Sequence, residues 1–259
     1  MDNHYLNKSQ VEYKEMLENT HTVPLKRPEW LRVKAPTGEN YEYLQQMMRR
    51  QKLNTVCEEA DCPNIAECWG HRTATFMILG DTCTRSCGFC AVKVGRPNEL
   101  DLKEPRRVAD AVKELNLRHV VITSVDRDDL KDGGASIFSE TVRLIRQEMP
   151  NTTIEILIPD FKGDEFAFNI IMQNPPDILN HNLETVPRLY PFARPQAKYK
   201  RSLELLLWFK EHNLRTKSGI MVGIGEQPEE VLALMHDLVD YKCDILTIGQ
   251  YLQPTKEHL

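Results

Sequence analysis

With 259 residues and 41% hydrophobic side chains, the chain can build one barrel-sized domain or two small ones around a sizeable core. A net charge of −5 argues against bulk nucleic-acid binding, and no apolar run approaches the ~20 residues that span a bilayer. An N-terminus without a signal or transit signature points to the cytoplasm, where the clustered cysteines, six of the seven, are expected to be metal ligands rather than disulfides.

Residues 1–73 read as an extension with an irregular lead and a helix near 39–52. It carries a first cysteine triplet, "CEEADCPNIAEC", with Cys57, Cys62 and Cys68. The basic runs at 48–52 and 198–202 read as solvated helix faces. From residue 74 a different rhythm begins. "TFMILG" (75–80) is a short continuous apolar run, the mark of a strand buried on both faces. A second triplet follows it in "DTCTRSCGFCAV", where Cys83, Cys87 and Cys90 are spaced C-x3-C-x2-C.

Helical spacing of Val108, Val112 and Leu115 predicts a helix over 106–116, followed by a strand in "VVITS" (120–124). A helix over 136–147 presents Phe138, Val142 and Ile145. "TIEILIP" (153–159) and "DILNHN" (177–182) are strands, each preceding a helix, at 164–173 and 201–212. "KSGIMVG" (217–223) leads to a helix opening at Pro228, and "DILTIGQ" (244–250) is the sixth strand. Six strands alternating with five helices imply parallel pairing through right-handed crossovers. The predicted class is α/β, a partial TIM-like (β/α)6 barrel over 74–254, with 255–259 beginning a further tail.

In such folds chemistry gathers at the carboxyl ends of the strands. There the sequence places the second triplet, "SVDRDD" (124–129), the group Asn180, His181, Asn182 and Glu184, and Gln250, Tyr251 and Gln253. Three thiolates suit a 4Fe–4S cube that keeps one iron free of protein cysteine, whereas structural zinc wants four closed ligands. Zinc or plain structural thiols stay open as readings, more so for 57–68 than for 83–90. Cys243, among apolar neighbours, reads as packing.

The C-x3-C-x2-C motif, with Phe89 before its last cysteine and after a first barrel strand, resembles the radical S-adenosylmethionine superfamily. The upstream "CEEADCPNIAEC" with "RTATFMILGDTCTRSCGFCAV" is narrower and resembles the lipoyl synthase family. "TSVDRDDLKDGG", "DILNHNLETVPRLY" and "IGQYLQPTKEHL" extend that similarity across about residues 28–259.

The resemblance implies two 4Fe–4S clusters and S-adenosyl-L-methionine as cofactors. Cys83, Cys87 and Cys90 would hold the cluster that reductively cleaves S-adenosylmethionine to an adenosyl radical. Cys57, Cys62 and Cys68 would hold an auxiliary cluster, consumed as the sulfur donor for C6 and C8 of an octanoyl-lysine chain. Phe89, Ser124, Asn182, Glu184 and Arg194 are the candidate cofactor contacts, and the G-x-G of "GIMVGIGEQPEE" is expected to line the adenosine site rather than to hold phosphate.

Implied partners are octanoylated carriers (the glycine cleavage H protein or 2-oxoacid dehydrogenase E2 lipoyl domains), a ferredoxin or flavodoxin as electron donor, and an iron–sulfur cluster carrier. No nucleic acid or membrane partner is implied. The family pattern continues into an Arg-Ser-Ser-Tyr segment whose serine caps the fourth auxiliary iron. That motif does not occur in these 259 residues, and the expectation is a truncated chain, an incomplete gene reading or a degraded copy; were the chain complete, water or another ligand would take that position. Two alternatives are a biotin-synthase-type sulfurtransferase, against which the 57–68 triplet argues, and a non-catalytic relic holding zinc or one cluster. Anaerobic reconstitution separates them: about eight irons with eight sulfides for the leading reading, stoichiometric zinc for the relic.

Overall fold

In this computed structural model, residue 35 and residues 37–60, 62, 64–70 and 75–259 are described. The expected irregular lead lies almost wholly outside them. Helix α1 (Glu39–Gln51) buries Leu44, Met47 and Met48 and is anchored to the barrel by its exposed side, where Arg50 and Tyr43 both bond Glu114. Strand β1 (Asn54–Thr55) follows, then the short helices α2 (Val56–Glu59) and α3 (Ile65–Gly70). Tyr41 packs on Trp69 with ring centroids 5.0 Å apart, tying α1 to α3.

β1 pairs antiparallel with β2 (Thr75–Ile78), so the extension adds a strand to the edge of the main sheet. Two residues carry no readable alternation, and the sequence did not reveal this strand. Beyond β2, β3 (Thr82–Cys83) and β4 (Lys93–Val94) pair with each other and bracket the second cysteine triplet. The remaining five expected strands all form: β5 (His119–Ser124), β6 (Thr153–Leu157), β7 (Ile178–Asn180), β8 (Arg215–Val222) and β9 (Ile245–Gln250). They run parallel in sheet order β1-β2-β5-β6-β7-β8-β9, which is the open, partial barrel expected.

Helices α4 (Glu104–Leu115), α5 (Ala135–Glu148) and α6 (Glu165–Gln173) connect the strands, as do α8 (Tyr199–Glu211) and α9 (Pro228–Asp240), with a one-turn α7 (Tyr190–Ala193) before α8. Val108, Val112, Phe138, Val142 and Ile145 are buried as their spacing predicts. Phe138 meets Phe161 edge-on at 6.5 Å, and Phe161 in turn meets Phe168, continuing the core under α6. The basic run at 198–202 departs from expectation. Lys200 is exposed, but the guanidinium of Arg201 turns inward to the fully buried Asp160.

α5 starts where Asp132 caps the amides of Gly134 and Ser136 at 3.0 and 2.9 Å. Gly134 has φ +91°, and a Cβ there would lie 2.3 Å from a Leu79 methyl. Gly134→Ala is therefore expected to lower the unfolding free energy of the metal-free chain by about 1–3 kcal/mol, read by urea denaturation.

Candidate cluster and cofactor site

β3 ends at Cys83, whose sulfur accepts the amides of Asp126 (3.2 Å) and Arg85 (3.4 Å). Such N–H groups favour thiolate over thiol. The chain then turns, with the Cys90 amide bonded to the Cys87 carbonyl at 3.1 Å. Gly88 lies in a narrow slot. Its amide donates to the Ala193 carbonyl at 2.9 Å and its carbonyl accepts from the Leu259 amide at 3.0 Å. A Cβ on Gly88 would meet the Phe192 carbonyl at 2.8 Å and Leu259 Cγ at 2.9 Å, so the sequence needs glycine here. His258 Nε2 bonds the Cys90 carbonyl at 3.1 Å, and residues 258–259 thereby cover one side of the loop.

Burial raises all three thiols of this loop. Cys83 is pushed up to about 11, with Asp126 adding to the effect. Cys87 is pushed up to about 12 by burial, against the pull of Arg194. Cys90 is raised by burial too, and Glu184 reinforces it.

Glu184 and Arg194 act on the thiols of the loop from the segment after β7, with the Asn182 side chain beside Glu184. Glu184 is held at φ +66° by backbone bonds on both sides to β8, Glu184 N to Gly219 O and Met221 N to Glu184 O, each 2.9 Å. Burial raises its carboxyl, while Arg194 and the Asn182 side chain favour the charged form. A Cβ at Gly219 would come within 2.7 Å of Asn182 Oδ1, so glycine there lets the Asn182 side chain keep its place. Buried Arg194 donates through Nη1 to the Asn182 carbonyl at 2.6 Å and lies over the Tyr190 ring at 5.6 Å. Among the described residues, the Oγ of Ser124 and the Oη of Tyr251 are buried without a hydrogen-bond partner. Phe89 is half-buried on the same loop.

Other rim residues have local partners instead. His181 is buried, its Nδ1 against the Ile158 carbonyl (2.8 Å) and Nε2 against Ser202 Oγ (2.9 Å). Burial lowers it to about 4, so it is a neutral packing residue. Gln250 bonds the Val222 carbonyl and Gln253 the His258 carbonyl. In the G-x-G turn, the Glu226 carboxylate occupies the amides of Gly223 and Ile224. A carboxylate already fills the seat that a phosphate would take. Cys243 is half-buried with its sulfur near the Thr216 and Ile245 carbonyls, in line with packing.

The first triplet lies against β2. Cys57 is raised by burial, offset by the Thr75 amide, with Cys62 and Cys68 adding repulsion. Cys68 is raised by burial and by Cys62. The three thiols are thus close enough to act on one another. The buried Trp69 indole N–H is directed at Cys57 and favours its thiolate.

Residues 77–238 match the radical SAM superfamily, and residues 1–62 match the N-terminal domain of lipoyl synthase of that family. Lipoyl synthase of Rubrobacter xylanophilus is 61% identical over 235 residues, 90% of this chain and 73% of that protein. The chain belongs to the lipoyl synthase family. Two other members are the enzyme of Flavobacterium johnsoniae (56% identical; 92% of this chain, 83% of that one) and the mitochondrial enzyme of Nematostella vectensis (55%; 93% and 84%). Solved structures share the fold. Methylornithine synthase superposes with a TM-score of 0.57 at 16% identity, over 71% of this chain and 55% of that one. Streptococcus suis SuiB bound to S-adenosylmethionine gives 0.56 at 13%, over 97% of this chain and 53% of that one.

As a member of the family, the chain uses S-adenosylmethionine and 4Fe–4S clusters, and its residues suit them. Among the described residues, no three His, Cys, Asp or Glu side chains close around a single ion. A cube places its thiolates on separate corners and needs no such closure. The amides on the Cys83 sulfur favour its thiolate, and the unpartnered oxygens of Ser124 and Tyr251 are groups in want of a ligand. A testable consequence follows from the raised thiols. In the metal-free chain, Cys83 and Cys87 stay protonated until the pH nears 11–12. Iodoacetamide should therefore alkylate Cys87 at pH 8.5 at least about tenfold more slowly than a free cysteine, the rate rising with pH; mass mapping of the labelled peptides checks this.

Proposed function

We propose that Cys83, Cys87 and Cys90 hold the cluster that binds S-adenosylmethionine, and that Cys57, Cys62 and Cys68 hold the sulfur-donating one. The family reaction replaces hydrogen with sulfur at C6 and C8 of a protein-bound octanoyl chain. The cofactors, when bound, supply an electron, a hydrogen-abstracting radical and the sulfur.

The chain's own residues do the rest. Glu184 and Asn182 present acceptor oxygens suited to an ammonium group. Among the described residues, Arg194's side-chain hydrogen bonds all run through Nη1, which leaves Nε and Nη2 to meet a carboxylate. An amino acid end of the cofactor would then bridge opposite charges that already face each other. Ser124 and Tyr251 offer hydroxyls to its polar groups. The barrel wall of β5 to β8 excludes water, which a reactive radical requires.

The observation that carries this reading is the convergence of Glu184, Arg194 and Asp126 on the thiols of Cys87 and Cys90. Octanoylated lipoyl domains are the substrates, and the H protein and E2 domains are the proposed carriers. A ferredoxin or flavodoxin is the proposed reductant, and an iron–sulfur carrier the proposed source of clusters.

Mass spectrometry of an octanoyl-lysine peptide tests the reaction. Reconstituted protein, dithionite and S-adenosylmethionine should add two sulfurs for two hydrogens. Cys87→Ala should abolish methionine formation from S-adenosylmethionine. Cys62→Ala should spare it while stopping thiolation; equal losses in both assays would refute the division of labour. Glu184→Gln should weaken binding of S-adenosylmethionine on the order of tenfold, measured by equilibrium dialysis.

A further inference from the structure

Arg85 lies in the loop between Cys83 and Cys87, where an arginine would ordinarily reach solvent, yet its side chain is 4% exposed. Its fork closes on the Asp128 carboxylate, Nε to Oδ2 at 2.8 Å and Nη2 to Oδ1 at 2.9 Å. Nη2 also reaches Asp160 Oδ1 at 2.7 Å, and Nε lies 3.2 Å from Asp126 Oδ1. Asp126 and Asp128 follow β5, and Asp160 follows β6. One guanidinium therefore ties the loop to two strand ends.

The rest of the cluster is built around it. Asp160 takes a second guanidinium, Arg201 Nε at 2.8 Å, and the Lys162 amide at 3.0 Å. Lys162 Nζ stands 3.6 Å from Asp128 Oδ1. Against its burial, Asp160 is held well below the usual carboxylate range, chiefly by Arg85. The loop backbone is locked in parallel. Thr84 donates its amide and its hydroxyl to the Asp126 carbonyl, both at 3.0 Å, and its hydroxyl oxygen accepts the Asp128 amide at 3.0 Å. The two amides that point at Cys83 sulfur belong to Arg85 and Asp126 themselves.

We infer that Arg85 is the positioning residue of the cluster loop: its fork fixes Cys83 and Cys87 against the ends of β5 and β6 before iron is loaded. The inference rests on the assignment of Cys83, Cys87 and Cys90 as cluster ligands. Lysine can match the charge but not the planar fork, so geometry and charge are separable.

The test uses the full chain, reconstituted anaerobically and challenged with a ferrous chelator. Iron at this loop is taken as the difference from a Cys87→Ser variant. Arg85→Lys and Arg85→Gln should both release that iron on the order of tenfold faster. The change that S-adenosylmethionine causes in the electron paramagnetic resonance of the reduced cluster should broaden or vanish. Circular dichroism of the metal-free variants should match the parent. Asp128→Asn removes the forked partner at a part-exposed position and should act in the same direction, giving a second variant if an Arg85 substitution does not fold. Parent-like iron retention and resonance in Arg85→Lys would overturn the inference, as would iron loss in Arg85→Gln with none in Asp128→Asn. If Cys87→Ser itself retains its iron, the ligand assignment fails instead.

Discussion

Parallel pairing of β2 with β5 is the constraint from which the site follows. The register sets Ile78 beside Ser124, so residues 79–90 and 125–129 leave the sheet on the same rim. The next pairings add Asp160 from the end of β6 and residues 181–184 from the end of β7. A chain with the same composition but an antiparallel sheet would scatter these groups over both ends. Instead, thiols more than ninety residues before Glu184 come within its electrostatic reach.

That convergence brings like charges together, and the structure balances them in layers. Beneath the loop, Asp126, Asp128 and Asp160 are met by Arg85, Arg201 and Lys162. Across the rim, Glu184 is met by Arg194. Burial raises the thiols and Asp126, so in the metal-free chain the loop favours neutral groups. A cationic metal core is the natural counter-charge for thiolates placed this way.

Much of this was legible in the sequence, because it depended on patterns the chain displays. Apolar runs marked six strands, and helical spacing marked Val108, Phe138 and their neighbours as core. The cysteine spacings marked both triplets. What escaped had no periodic signature. Asn54–Thr55 is too short to alternate, yet it joins the extension to the sheet. Arg201 sits among basic residues and reads as solvated, until the fold brings it to Asp160 from 41 residues away. Arg85 was overlooked for the same reason, since its three acidic partners lie at least 41 residues on. The role of Glu226 was hidden because a carboxylate directly after a glycine pair looks like any surface acid.

Gly88 has a mechanical consequence. Its amide is bonded to the carbonyl of Ala193, whose neighbour Arg194 faces Glu184 and Cys87. The peptide joining the second and third cysteines is therefore spliced to the arm that would grip an incoming carboxylate. A displacement of that arm would reach the cysteine loop through this bond and through the paired Ser86–Gln196 hydrogen bonds beside it, so the two segments move as one body.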